Sequence, residues 1–360
     1  MPPNSRATGT TGVLYEGDTA PPTSVIQALK KGGPDPNHKL ELAWLNITLF
    51  TILHVSSVYG LWLLFTAAKW QTFLLFPAAL VLTIVGISGG AHRLWAHRTF
   101  KANTPLRLIF MFLNTLAFQD AVYYWARDHR LHHKYSETDA DPYNSQRGWF
   151  FSHIGWLCCK KHPDVTLKGR EIDLSDLRND KLVMFQKKHY LILMPLICFV
   201  LPTVVPMYYW GESLNCAWHC FTLLRWCASL NIVWLVNSSA HMYGKRPYDK
   251  NIAPTNEAFL MWFRVGEGYH NYHHVFPWDY KSAELGKYSR DATTYFIDFF
   301  ARIGWAYDLK SVSTEVLRQR ITRTGDGTHP VWGWGDKDQP QEDVDSTTIT
   351  HRRKETAADS

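Results

Sequence analysis

Nine of the 17 histidines fall into tight clusters. His92 and His97 lie in HRLWAH, and His129, His132 and His133 in HRLHH. His270, His273 and His274 lie in HNYHH, and His241 closes NSSAH. Imidazole is the commonest protein ligand for a metal. On a helix, residues i and i+4 share a face, and i+3 is rotated slightly from it. His129 and His133 can therefore grip one metal while His132 turns towards a second. His270 and His274, with His273 between them, repeat that arrangement. Nine imidazoles are too many for one metal and suit two. The other eight histidines are scattered and read as ordinary core or surface residues.

An all-imidazole set suits zinc, copper, iron or nickel. Zinc enzymes typically use three protein ligands and an open position, and zinc has no redox chemistry. Two metals with nine neutral ligands beside apolar segments point to O2 activation by iron. No electron carrier is visible: there is no GxGxxG after a strand and no CxxCH, and HPDV at 162–165 is not the HPGG of a fused haem domain. Electrons are expected from a separate donor. A Ser/His/Asp or Cys/His hydrolase has no nucleophile elbow to support it. The six cysteines form no CxxC pair and read as reduced thiols.

The elements that must carry these histidines follow from the apolar blocks. Mean hydropathy is −0.22, an average that hides them. Long apolar runs cover about 44–68, 70–91, 190–210 and 217–240, each long enough for a bilayer, which takes about 20 residues. The second and fourth end at His92 and His241, so two clusters start at one membrane depth. The third contains three prolines and the fourth carries Arg225, a charge that must snorkel or find a partner. Leu106–Phe118 is apolar but short and is expected to lie in the membrane plane or half-buried. The short connections between paired runs carry only Lys69 and Glu212, while 92–189 and 241–323 are dense in Lys and Arg. By the positive-inside rule, those segments and both termini are cytosolic. The expected architecture is an all-α integral membrane protein: four transmembrane helices under a cytosolic helical cap that holds a histidine-ligated two-metal site. Residues 1–37 read as a disordered arm, 38–323 as the membrane domain and 324–360 as a polar tail. No signal-peptide core is visible at the start, so insertion is expected to depend on internal segments. The aromatic content of 14% suits interface belts, and the modest +6 charge suits anionic lipid or an acidic partner. No nucleic-acid partner is expected.

HRLWAHRTFKA, WARDHRLHHKYSETDADP, NSSAHMYG and GEGYHNYHHVFPWDY resemble the membrane acyl-CoA desaturases of animals. RPYDKNI, GWAYDLKSVS and RTGDGTHPVWGWGDKDQP look like the insect branch, most like fly Δ9 enzymes, and the resemblance covers roughly residues 40–340. It implies two iron ions (Fe2+) in the endoplasmic reticulum membrane. His92, His97, His129, His133 and His273 would hold one; His132, His241, His270 and His274 would hold the other, with Asn237 contacting it through a water. The implied reaction removes two hydrogens from a saturated acyl-CoA, reducing O2 to water with electrons from cytochrome b5 and its reductase. Asn46, Arg127, Asp128, Lys160, Lys161 and Trp234 would hold the CoA moiety, and Gln119 and Trp125 would shape the bend of the acyl tunnel. Val233 departs from a threonine often found there. Ile84 replaces a frequent Gly or Ala, and Leu80 a frequent Tyr. Both would sit along the tunnel's far end, where the larger Ile84 is expected to favour myristoyl to palmitoyl over stearoyl chains and the smaller Leu80 works the other way. The residues leave open a Δ11 or other regiospecificity, a hydroxylase on the same iron site, and a non-catalytic scaffold.

Overall fold

The computed structural model describes residues 38–262, 267–284, 291–329 and 341–349; the expected N-terminal arm lies outside them. Among the described residues, four helices are long and apolar enough to cross a membrane: α1 (Trp44–Thr66), α2 (Trp70–Ala96), α5 (Lys181–Trp210) and α6 (Leu214–Met242). Between them lie α3 (Thr104–Ala117) and α4 (Val122–Tyr135), and after them α7 (His270–Val275), α8 (Ala292–Arg302) and α9 (Thr314–Thr324). Among the described residues, a two-residue antiparallel pair, β1 (Lys101–Ala102) with β2 (Ala306–Tyr307), ties the segment before α3 to the one after α8. The expected polar tail holds one described helix, Gln341–Ser346.

The spanning helices run further towards the cap than their apolar runs. α2 continues past residue 91 to Ala96, and α5 begins at Lys181, not 190. Polar residues prolong both helices because the cap packs around them and satisfies their side chains. The end of α2 changes winding. Gly86–Ala96 is π-helical, and the His97 amide donates to the His92 carbonyl at 3.0 Å, an i→i+5 bond. A wider turn can persist here because α3 presses against small residues. A Cβ at Gly86 would lie 2.4 Å from the backbone carbon of Leu113. α3 is amphipathic, as its sequence predicts. Leu106, Phe110 and Leu113 face the core, while Leu108 and Phe112 remain exposed. Leu106, Phe110, Leu131, Phe100 and Ile297 form one core joining α2, α3, α4 and α8.

Arg225 does not snorkel. It is buried among the spans, and its Nε donates to the Phe221 carbonyl at 3.2 Å. One terminal nitrogen donates to Thr83 Oγ1 and the Leu116 carbonyl, and the other to the Cys198 carbonyl. The charge thus joins α2, α3, α5 and α6 through neutral acceptors. At the opposite end of the bundle, Glu212 accepts from the Lys69 amide at 2.9 Å, from Thr72 Oγ1 at 2.5 Å and from the Ser213 amide. It thereby links the two helical hairpins.

Candidate metal centre

Four elements deliver the nine clustered histidines. The π-helical end of α2 carries His92, with His97 just beyond it, five residues apart and therefore one wide turn apart. α4 carries His129, His132 and His133, the last turn of α6 carries His241, and α7 carries His270, His273 and His274. In space they form two groups: His92, His97, His129, His133 and His273, and His132, His241, His270 and His274, with the ligand atoms of each group within 4.8 Å of one another. These are the two sets named above. Adjacent Nε2 atoms approach to 2.8 Å (His97 and His129), 2.9 Å (His133 and His273) and 3.0 Å (His92 and His273; His241 and His270; His270 and His274).

A metal fits this donor set. Two ligand nitrogens about 2.1 Å from one cation lie roughly 3 Å apart at a right angle, but about 3.4 Å apart at a tetrahedral one. The observed contacts match the former. Burial pushes His129, His133, His270, His273 and His274 well below the usual imidazole range, and neighbouring histidines push the same way. Neutral imidazole is the ligating form. His132 Nε2 is buried with no hydrogen-bond partner among the described residues, which a ligand atom awaiting a cation would be.

The motif arginines are structural. Arg130 donates to the carbonyls of Trp95 at 2.8 Å and Ala96 at 3.2 Å, capping the end of α2, and pairs with Asp176. Arg93 donates to the Tyr280 carbonyl and to Thr294 on α8 and pairs with Asp291. Sequence reasoning missed three carboxylates beside the histidines. Asp141 sits 2.9 Å from His132 Nδ1, Glu137 sits 2.8 Å from His241 Nδ1, and Glu267 sits 3.4 Å from His92 Nδ1. Burial would raise the Glu137 carboxyl, but the hydrogen bond and charge interaction with His241, helped by Ser145 and His132, outweigh it and hold it at about 2. The available signal was the acidic run SETDADP directly after HRLHHKY, and the GEG before YHNYHH.

Two cavities meet at the histidines. The larger, about 490 Å³, is lined by Asn46, Gln119, Asp128, Lys161 and Trp234 among others. The smaller, about 40 Å³ by the same measure, is lined by Ile84, Ile87, Ser88 and Leu260 beyond the histidines. Trp125, His129, Val233 and Asn237 border both. The Trp125 indole stacks on His129 with ring centres 4.9 Å apart. Lys161 donates to Asp128 at 2.5 Å, and Asp128 also pairs with Arg127 at 2.7 Å. Asn46 donates to the Leu157 carbonyl, and the Gln119 side-chain nitrogen is buried with no partner among the described residues. Three of the residues named above lie off these walls, and one of them, Arg127, meets the larger cavity only through its pair with Asp128. Lys160 does not line the cavity: it is 70% exposed in its side chain and pairs with Glu41, because its segment runs along the chain before α1. Leu80 lines neither cavity, since the wall that α2 provides begins one turn nearer the histidines, at Ile84.

The sequence profile of the fatty acid desaturase family matches residues 68–295. An acyl-CoA Delta-9 desaturase of Acheta domesticus is 56% identical over 348 residues, covering 95% of this chain and 97% of that protein. An acyl-CoA Delta12-desaturase of the same species is 52% identical, covering 96% and 97%. An acyl-CoA Delta(11) desaturase of Spodoptera littoralis is 53% identical, covering 84% and 89%.

Proposed function

Because the chain belongs to the fatty acid desaturase family, among its acyl-CoA desaturases, we propose that it places a cis double bond at Δ9 of a saturated acyl-CoA, using two iron ions and electrons from cytochrome b5. The observation that carries this is the meeting of two cavities at the paired histidine groups, the larger bordered by Asp128 and Lys161 and the smaller by Ile84, Ile87 and Leu260. The balanced reaction consumes one acyl-CoA, one O2, two electrons and two protons and releases one alkene and two waters. Two irons, held by the nine histidines with Asn237 contacting the four-histidine set through a water, would supply the O2-derived oxidant that an unactivated methylene requires.

The chain's own residues do the rest. Lys161, on the wall of the larger cavity, and Arg127, which shares Asp128 with it, suit the phosphates of CoA, and Asp128 keeps both side chains aimed. Asn46 and Trp234 line the same end. Trp125, fixed against His129, forces the acyl chain to turn beside the histidines, and Gln119 offers a buried amide there. Val233 offers only apolar contact at the shared neck. The smallness of the far cavity and the isoleucine at its end favour chains shorter than stearoyl.

Expression in a desaturase-deficient yeast, with double-bond positions mapped by mass spectrometry, tests the reading. A Δ9 cis product is expected; a product confined to Δ11 or Δ12 would overturn the regiospecificity, and a hydroxylated product the reaction. The donor is tested with purified protein, inactive with NADH and O2 alone and active once cytochrome b5 and its reductase are added. We place the protein in the endoplasmic reticulum membrane with both termini cytosolic. Glycosylation tags inserted at 210–213 should then be modified, and tags near 150 should not.

A further inference from the structure

The two histidine groups have unlike surroundings. In the four-histidine group two imidazoles are backed by carboxylates at hydrogen-bond distance: His132 Nδ1 lies 2.9 Å from Asp141 Oδ1, and His241 Nδ1 lies 2.8 Å from Glu137 Oε1. In the five-histidine group Glu267 approaches His92 Nδ1 at 3.4 Å, and it also accepts from Ser88 and lies near Arg93. Glu137 and Asp141 come from one loop, both buried, at 5% and 3% exposure. The loop is built to aim them. The Glu137 and Tyr143 amides both donate to Asp141, at 3.0 Å each, and Ser145 Oγ donates to the second oxygen of Glu137 at 2.7 Å. Glu137, with a φ of +66°, is the third residue of a turn closed by the Thr138 amide on the Tyr135 carbonyl at 3.1 Å.

A carboxylate that accepts Nδ1–H fixes the imidazole tautomer, leaves the Nε2 lone pair free for a cation and makes the ligand more basic. We infer that Glu137 and Asp141 are positioning residues that fix His241 and His132 as Nε2 ligands, making the four-histidine site selectively dependent on this loop for its metal. The inference rests on the two-iron reading above. It predicts that the two sites can be separated: weakening the loop carboxylates releases one iron and leaves the other.

The test uses the full-length protein, purified and loaded with iron, with iron content followed by elemental analysis and Mössbauer spectroscopy during titration with a chelator. The wild type should hold two irons per chain. Glu137→Gln and Asp141→Asn should each weaken one iron by about 10- to 100-fold, with one Mössbauer doublet lost first. Asp139→Asn, altering a loop carboxylate that pairs with Arg147, should hold both irons as the wild type does. Asp141 also organises backbone, so if its variant fails to fold, Glu137→Gln carries the test; its second bond, from Ser145, can be kept by the amide oxygen. Two irons bound with wild-type affinity in Glu137→Gln would overturn the inference. So would equal weakening of both irons, which a merely structural loop would produce. A wild-type chain that binds no iron would overturn the two-iron reading itself, before any variant is compared.

Discussion

Arg225 and His132 are both buried, one among the membrane-spanning helices and one in the cap, yet their polar atoms end differently. Every nitrogen of the Arg225 guanidinium reaches an acceptor of the protein: carbonyls of Phe221, Leu116 and Cys198, and the hydroxyl of Thr83. His132 is anchored on one side by Asp141, while its Nε2 meets no partner among the described residues and points into a ring of other imidazoles. A buried polar group left unpaired costs about 1–3 kcal/mol. The difference separates a polar group that holds helices together from one that waits for a ligand. Glu212 belongs with Arg225, since both its oxygens are occupied by donors of the protein.

The sharpest way to break this comparison is to exchange the outcomes of the two regions. His132→Ala removes an imidazole from a shared centre and should lower unsaturated product by at least ~100-fold, with expression and thermal stability near wild type. The same loss is expected for each of the other eight clustered histidines, measured as product per folded protein in microsomes. Three or more such variants with near-normal turnover would remove the reason for treating the clusters as one centre.

Arg225→Ala should do the reverse. It strands the Leu116 and Cys198 carbonyls and empties the volume of a large buried side chain, which is expected to destabilise the bundle by about 3 kcal/mol. Thermal melting in detergent should show a lower midpoint, while turnover per folded protein stays within a few-fold of wild type. If turnover collapsed with the melting midpoint unchanged, Arg225 would belong with the centre and not with the scaffold.

How much of this was legible in the sequence depends on where the partners come from. The division of HRLHH between two groups follows from i, i+3 and i+4 spacing on a regular helix, and α4 has that geometry. HRLWAH was legible as a cluster but not as a geometry. Its five-residue spacing suits the π winding that glycines and the close approach of α3 allow, and no periodicity of apolar residues announces it. Partners that are backbone carbonyls leave no trace in residue types, which is why the partners of Arg225 and Arg130 could not be named in advance. Glu137 and Asp141 did leave a trace, an acidic run after a histidine box, but the same run would equally suit a solvated loop. The assignment of Leu80 rests on the family resemblance and on its four-residue spacing from Ile84. Spacing tells which residues share a face, not where a cavity stops.

Where the cavity stops is the smallest effect and joins the two regions. Ile84 is 2% exposed and lines the smaller cavity. Its neighbour Thr83 accepts a hydrogen bond from Arg225, which ties the rotation of α2 beside Ile84 to the scaffold charge. On the proposed reading, turning Ile84 away from a longer chain would disturb that bond. Extra methylenes forced against a packed wall cost roughly 1–3 kcal/mol, and about 1.4 kcal/mol is a tenfold change in rate. Ile84→Ala should raise stearoyl use relative to myristoyl by about tenfold, read as the ratio of products from an equimolar mixture of the two acyl-CoAs. Leu80→Ala, one turn beyond the cavity, should leave that ratio within about twofold of wild type. An unchanged ratio in Ile84→Ala at normal expression would rule the residue out as the stop. A change in Leu80→Ala as large as that in Ile84→Ala would mean that the acyl chain runs past Ile84 along α2.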